Sequence, residues 1–99
     1  MKVTILQSAK KDMEEIFLYA SFLGSDFAQR QIDKVLYNIS LLEKTPDIGG
    51  WAKSLVPVET DRYMVSGRHL VFYKLFPNKV QIVRVMDGRT DWQKVLFKV

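Results

Sequence analysis

The sequence predicts a two-layer α+β domain, a helical hairpin packed on one face of an antiparallel sheet. Three observations carry this. Apolar residues recur at helical spacing through two stretches of the first half. Only Gly24 and Ser25 separate those stretches, so the helices must run antiparallel. From Arg62 onward, runs of β-branched and aromatic residues alternate with turn residues, as in a three-stranded meander.

Each element follows from its residues. Val3 to Leu6 suit a short strand, whose available partner is the later meander. Ser8 is a candidate N-cap for the first helix. Met13, Ile16, Phe17, Ala20 and Leu23 then draw its apolar stripe, opposite Lys10, Asp12, Glu14 and Glu15. Gly24 stops it. Ser25 is a candidate cap for the second helix, Asp26 suits its first turn, and Ala28, Ile32, Val35, Leu36, Ile39 and Leu42 draw its apolar stripe. Thr45-Pro46 ends it. Residues 47–61 read as a glycine-containing loop along the sheet edge, with Trp51 as its anchor; Pro57 lacks an amide hydrogen and is unsuited to a central strand.

Ser66-Gly67-Arg68 and Pro77-Asn78 punctuate the meander, giving strands at 62–66, 69–76 and 79–87. Simple alternation places Val83 and Val85 on one face and Ile82, Arg84 and Met86 on the other. The second of these faces is left free by the hairpin. An arginine between apolar neighbours there has two readings: a contact for a partner, or a salt bridge to Glu59 or Asp61. Residues 91–97 form a last helical turn or two, with Trp92, Val95 and Leu96 packing back.

Composition excludes several classes of function. The 99 residues are 47% hydrophobic and suffice for one domain, 1–99, with its own core. The chain has no cysteine and one histidine, which excludes thiol catalysis and Cys-containing zinc sites and argues against any metal or cofactor. The N-terminal apolar run is too short for a signal sequence, and no stretch approaches the roughly 20 apolar residues of a membrane span. A cytoplasmic protein with no membrane partner is the expectation. The net charge is +4, and the excess lies in the second half, where nine Lys/Arg face four Asp/Glu. A basic sheet half attracts nucleic acid or an acidic protein segment.

One family matches this order of parts. Ala9-Lys-Lys-Asp-Met-Glu-Glu-Ile16 with Tyr19-Ala20, Leu41-Leu-Glu-Lys-Thr-Pro46, Gly67-Arg-His-Leu-Val-Phe-Tyr73 and Val80-Gln-Ile-Val-Arg-Val-Met-Asp-Gly-Arg89 resemble the ParE/RelE superfamily of toxins from bacterial type II toxin–antitoxin systems. The resemblance spans nearly the whole chain and is closer to ParE. It implies a growth-inhibiting, plasmid-stabilising toxin that poisons DNA gyrase and is neutralised by a ParD-like antitoxin. Arg84, Asp87, Arg89 and Trp92 would meet the target; Asp87 stands where a histidine is common in ParE. Arg62, Arg68, Ile82, Arg84 and Met86 would meet the antitoxin, the arginines through charge-assisted bonds to its carboxylates. The guanidinium fork serves phosphate equally well.

The alternative is a RelE-like endoribonuclease that cleaves messenger RNA on the ribosome. Arg62, His69 and Arg89 would then be the catalytic set, holding the phosphate and moving protons. The chain is thinly equipped for it. His69 stands where RelE commonly has an arginine, Met64 and Thr60 fall at commonly basic positions, and Leu96 or Phe97 replaces a tyrosine. A histidine at a strand start is also a common buried structural residue.

Overall fold

The computed structural model describes residues 1–48, 50–51 and 62–92. Its elements run β1 (Lys2–Ile5), α1 (Gln7–Ser21), α2 (Ser25–Ser40), a 3-10 turn (Leu41–Glu43), β2 (Gly50–Trp51), β3 (Arg62–Ser66), β4 (His69–Leu75) and β5 (Lys79–Asp87). The five strands form one sheet in the order β1-β5-β4-β3-β2. The two-layer α+β architecture is as predicted, with the third meander strand matching in its bounds and the second ending one residue early.

The sheet is antiparallel except at one edge, where β1 pairs with β5 in parallel, from Lys2↔Lys79 to Ile5↔Ile82. A parallel pair needs a long crossover, and the helical hairpin with the first meander strands supplies it. β1 is only four residues long. Beyond Ile82 the edge of β5 therefore has no strand partner, and the start of α1 takes its place. The Leu6 amide donates to the Ile82 carbonyl at 3.0 Å, and the Ser8 hydroxyl donates to the Val83 carbonyl at 2.6 Å. Ser8 thus ties the helix to the sheet instead of capping it; α1 starts at Gln7, with Leu6 in the capping position.

The hairpin is set by Gly24, whose φ of 125° is open only to glycine, between a first helix that ends at Ser21 and a second that begins at Ser25. Gly67, at φ 61°, makes the tight β3–β4 turn. Ala9, Met13, Val35, Ile39 and Leu42 from the helical layer pack on Met64, Val71, Tyr73, Val80, Ile82 and Val85. Tyr73 is completely buried, and its hydroxyl donates to the Pro46 carbonyl at 3.0 Å, fastening the chain that leaves the helices to the sheet.

The faces of β5 differ from simple alternation. Phe72 pairs with Arg84 and Tyr73 with Ile82, so Val83 is an extra residue opposite the Phe72–Tyr73 step, a β-bulge. The bulge shifts the phase. Ile82 and Val85 fall together under the helices, while Met86 turns to the far face. Ile82 is therefore sealed in the core at 0% exposure, which removes it from any partner surface and breaks the predicted Ile82, Arg84, Met86 stripe.

The far face carries a cluster of its own, in which Phe72, Met86 and Trp92 are buried against Tyr63 and Leu70. Trp92 packs back as the sequence suggested, its ring 5.3 Å from that of Phe72. The rest of the predicted C-terminal turn, the Trp51 anchor, and Glu59 and Asp61 fall outside what the structure describes.

Candidate functional site

The site is assembled where the end of α1 meets the C-terminal end of β5. Between them runs a groove of about 670 Å³. Ile16 and Ala20 of α1 and Val85 of β5 supply apolar lining, and Tyr19, Leu23 and Phe27 flank it from the hairpin. Its polar rim is Arg68, His69, Asp87 and Arg89.

One ion pair sets the spacing of the walls. Asp12 of α1 is buried, although its spacing had placed it on the polar helix face. Its carboxylate accepts from Arg84 Nε at 2.7 Å, from Arg84 Nη2 at 2.9 Å and from the Val85 amide at 2.9 Å. The last bond satisfies an edge amide of β5 where β1 has run out. The arrangement raises the Arg84 pKa above its ordinary value, chiefly through the hydrogen bond to Asp12. Arg84 therefore has its partner in α1, and its guanidinium is spent on holding helix to sheet.

The rim is organised by two adjoining turns. The Gly88 amide donates to the Arg68 carbonyl at 2.8 Å, and a Cβ on Gly88 would lie 3.3 Å from that oxygen. The turn after β3 and the end of β5 are thereby pinned together, which brings the exposed side chains of Arg68 and Arg89 to one end of the groove. Arg68 lies over the Phe27 ring, 5.7 Å from its centroid. Arg89 donates to Asp87 from Nε at 3.1 Å, from Nη2 at 2.9 Å and from its own amide at 2.9 Å. That bonding holds the Asp87 pKa below the usual carboxylate value.

His69 sits across the β4–β5 ladder from Asp87 and is only 4% exposed. Desolvation lowers its pKa, opposed by Asp87 and aided by Arg68, Arg89 and Lys34. It lies in the structural setting common for a histidine at a strand start.

Of the residues considered for ribonuclease chemistry, His69 and Arg89 share the groove rim and Arg62 stands apart. Arg62 pairs with Tyr73 and His69 with Ser66, so the two lie at opposite ends of the β3–β4 hairpin. Four residues of strand separate them, about 13 Å. They are only seven positions apart in sequence, but Arg62 opens β3 and His69 directly follows the turn that ends it, so the length of the strand lies between them. Of the residues considered for target contact, Asp87 and Arg89 share the rim, Arg84 is tied to Asp12, and Trp92 is buried on the far face.

Sequence reasoning missed the apolar surface beside the groove. Leu18, Tyr19, Phe22 and Leu23 are 64%, 73%, 88% and 70% exposed at the end of α1. Four large exposed side chains within one helical turn and a half form a patch of the kind that a partner covers. Leu18 and Phe22 lie off the predicted buried stripe at i, i+4 spacing, a second stripe that was legible. Among the described residues no group of His, Cys, Asp or Glu is placed to hold a metal ion, and no helix is long and apolar enough to cross a membrane.

The fold is thus a helical hairpin on a five-stranded sheet, with a basic-rimmed groove at one end. The match to the family model "ParE toxin of type II toxin-antitoxin system, parDE" covers residues 3–92, so the chain belongs to the ParE toxin family. Among solved structures it is similar to a chain of the chromosomal ParDE toxin–antitoxin system from P. aeruginosa, with a TM-score of 0.75. The two are 18% identical, over 88% of this chain and 95% of that one, a likeness of fold. No curated protein sequence matches.

Proposed function

We propose that this ParE-type toxin inhibits growth by poisoning DNA gyrase in the cytoplasm and is neutralised by a cognate ParD-like antitoxin. The observation that carries the reading is the groove, in which an exposed apolar patch on α1 adjoins two exposed arginines. That combination suits an acidic amphipathic segment, whose apolar side chains cover Leu18, Tyr19, Phe22 and Leu23 while its carboxylates meet Arg68 and Arg89. The solved relative belongs to a ParDE pair, which supports an antitoxin partner here.

The gyrase part rests on family membership and on the separation of Arg62 from His69, which disfavours the ribonuclease set. Arg89, at the open end of the groove and bonded there to Asp87, is the residue assigned to the target. Arg84 acts behind them, through the Asp12 pair that fixes β5 against α1.

Co-expression tests the antitoxin half. Induction of the toxin alone should arrest growth, and co-induction of the product of an adjoining acidic reading frame should restore it, with both proteins eluting as one complex. Unaffected growth on induction of folded toxin would overturn the reading.

A further inference from the structure

We infer that Asp87 sets the potency of the Arg89 end, because its carboxylate already occupies one edge of the guanidinium fork that an oxyanion on the target must reach. This deepens the proposed function and rests on its assignment of Arg89 to the target.

Three features make Asp87 an internal competitor. Its two oxygens meet Nε and Nη2 of Arg89, the side-on bidentate geometry in which a guanidinium takes an external carboxylate or phosphate. The pair is also built into the backbone. Asp87 Oδ1 accepts from the Arg89 amide, the Asp87 carbonyl accepts from the amide and hydroxyl of Thr90 at 3.1 and 2.7 Å, and Gly88 is fastened to Arg68. Most exposed ion pairs are weak because two flexible side chains must be ordered to form them. Here both partners leave one short, closed turn, so much of that ordering is supplied by the fold.

Third, Asp87 stands among cations. Arg68, Arg89 and Lys34 all act on His69, and Asp87 is the acid that opposes them there. The Arg89 side chain remains 62% exposed, so an incoming oxyanion has access, but only by the end-on edge or by displacing Asp87. Removing the Asp87 charge would release Nη2 of the fork, weaken the hold on Nε and raise the local positive potential.

The substitution Asp87→Asn separates charge from structure, since the amide oxygen still accepts from the Arg89 backbone. Inorganic phosphate is the probe, titrated into the purified full chain while the Arg89 Nε–Hε resonance is followed by NMR. The half-saturating phosphate concentration should fall about three- to ten-fold in Asp87→Asn, and the gain should vanish in Asp87→Asn/Arg89→Ala, read from neighbouring amides. Unchanged phosphate affinity in the folded variant overturns the proposal. Asp87→Ser serves as a second variant should the asparagine fail to fold.

The second arm measures the dose of toxin that gives half-maximal gyrase-linked DNA cleavage. A lower dose for Asp87→Asn than for the wild type supports the proposal, and a higher one overturns it, since Asp87 would then be a contact. If neither protein affects gyrase while phosphate affinity rises as expected, the gyrase reading has failed and the masking of Arg89 stands.

Discussion

Asp12 and Arg84 lie 72 residues apart in sequence and form a bidentate ion pair between the first helix and the last strand. The same carboxylate takes the amide of Val85, so it closes the edge of β5 at the point where β1 ends. One aspartate thereby replaces a missing strand, neutralises an arginine and fixes the width of the groove.

Loss of that carboxylate should therefore be costly. Asp12→Ala leaves a half-buried guanidinium and an edge amide without their partner, with an expected loss of about 2–4 kcal/mol, scaled down from fully buried pairs because Arg84 is partly exposed. Chemical denaturation measures it. The double substitution Asp12→Leu/Arg84→Met should recover much of the loss, as apolar replacement of buried pairs often does.

The bulge at Val83 makes a second comparison. Ile82→Ala should cost about 2–4 kcal/mol, because the side chain is wholly enclosed in the core. Val83→Ala should cost less than about 1 kcal/mol, since Val83 lies outside the buried core. Equal losses in paired denaturation curves would contradict the register.

His69 gives the fold a pH dependence whose sign is set by its burial. Its folded pKa lies below the ordinary value of 6.5, so the unfolded chain takes up the proton first as pH falls. Stability should be level above about pH 7 and decline as pH drops through 6.5 towards the folded value. In His69→Gln this decline should be absent. Asp87 acts in a lower window: its folded pKa is depressed, so its contribution holds above the ordinary value of 3.8 and fades as pH falls through the folded value. Thermal unfolding between pH 4.5 and 8 isolates the histidine.

The exposed patch on α1 should matter for binding and not for folding. Phe22→Glu alters a side chain that is 88% exposed, so stability should change by less than about 0.5 kcal/mol. Affinity for the antitoxin should fall at least about ten-fold, as expected for an interface anchor. Calorimetric titration of the two purified proteins measures it.

Much of the fold was legible because its signals are local. Helical spacing, Gly24 and the turn at Gly67 each act within a few residues, and all three mark the observed elements. The bulge was not legible, since it depends on register between β4 and β5, which alternation within one strand does not encode. The Asp12–Arg84 pair was half visible. Arg84 stands out among apolar neighbours, but patterning alone offers Glu59 or Asp61 as its partner, nearer in sequence than Asp12. Asp12 falls within the set Ala9, Asp12, Met13, Ile16 and Ala20, on the edge of the apolar stripe, where its charge alone assigns it to the polar face. A lone acid on that edge and a lone base in an apolar strand are natural partners, and the fold joins them. Arg62 and His69 show the converse: close in sequence, they are held apart by the length of β3.

The central claim is tested most directly by incubating purified, antitoxin-free protein with DNA gyrase, ATP and relaxed plasmid. The account predicts dose-dependent loss of supercoiling and accumulation of linear, gyrase-linked DNA, both reversed by the antitoxin and both abolished by Arg89→Ala. Unimpaired supercoiling at a large molar excess of correctly folded toxin would contradict it.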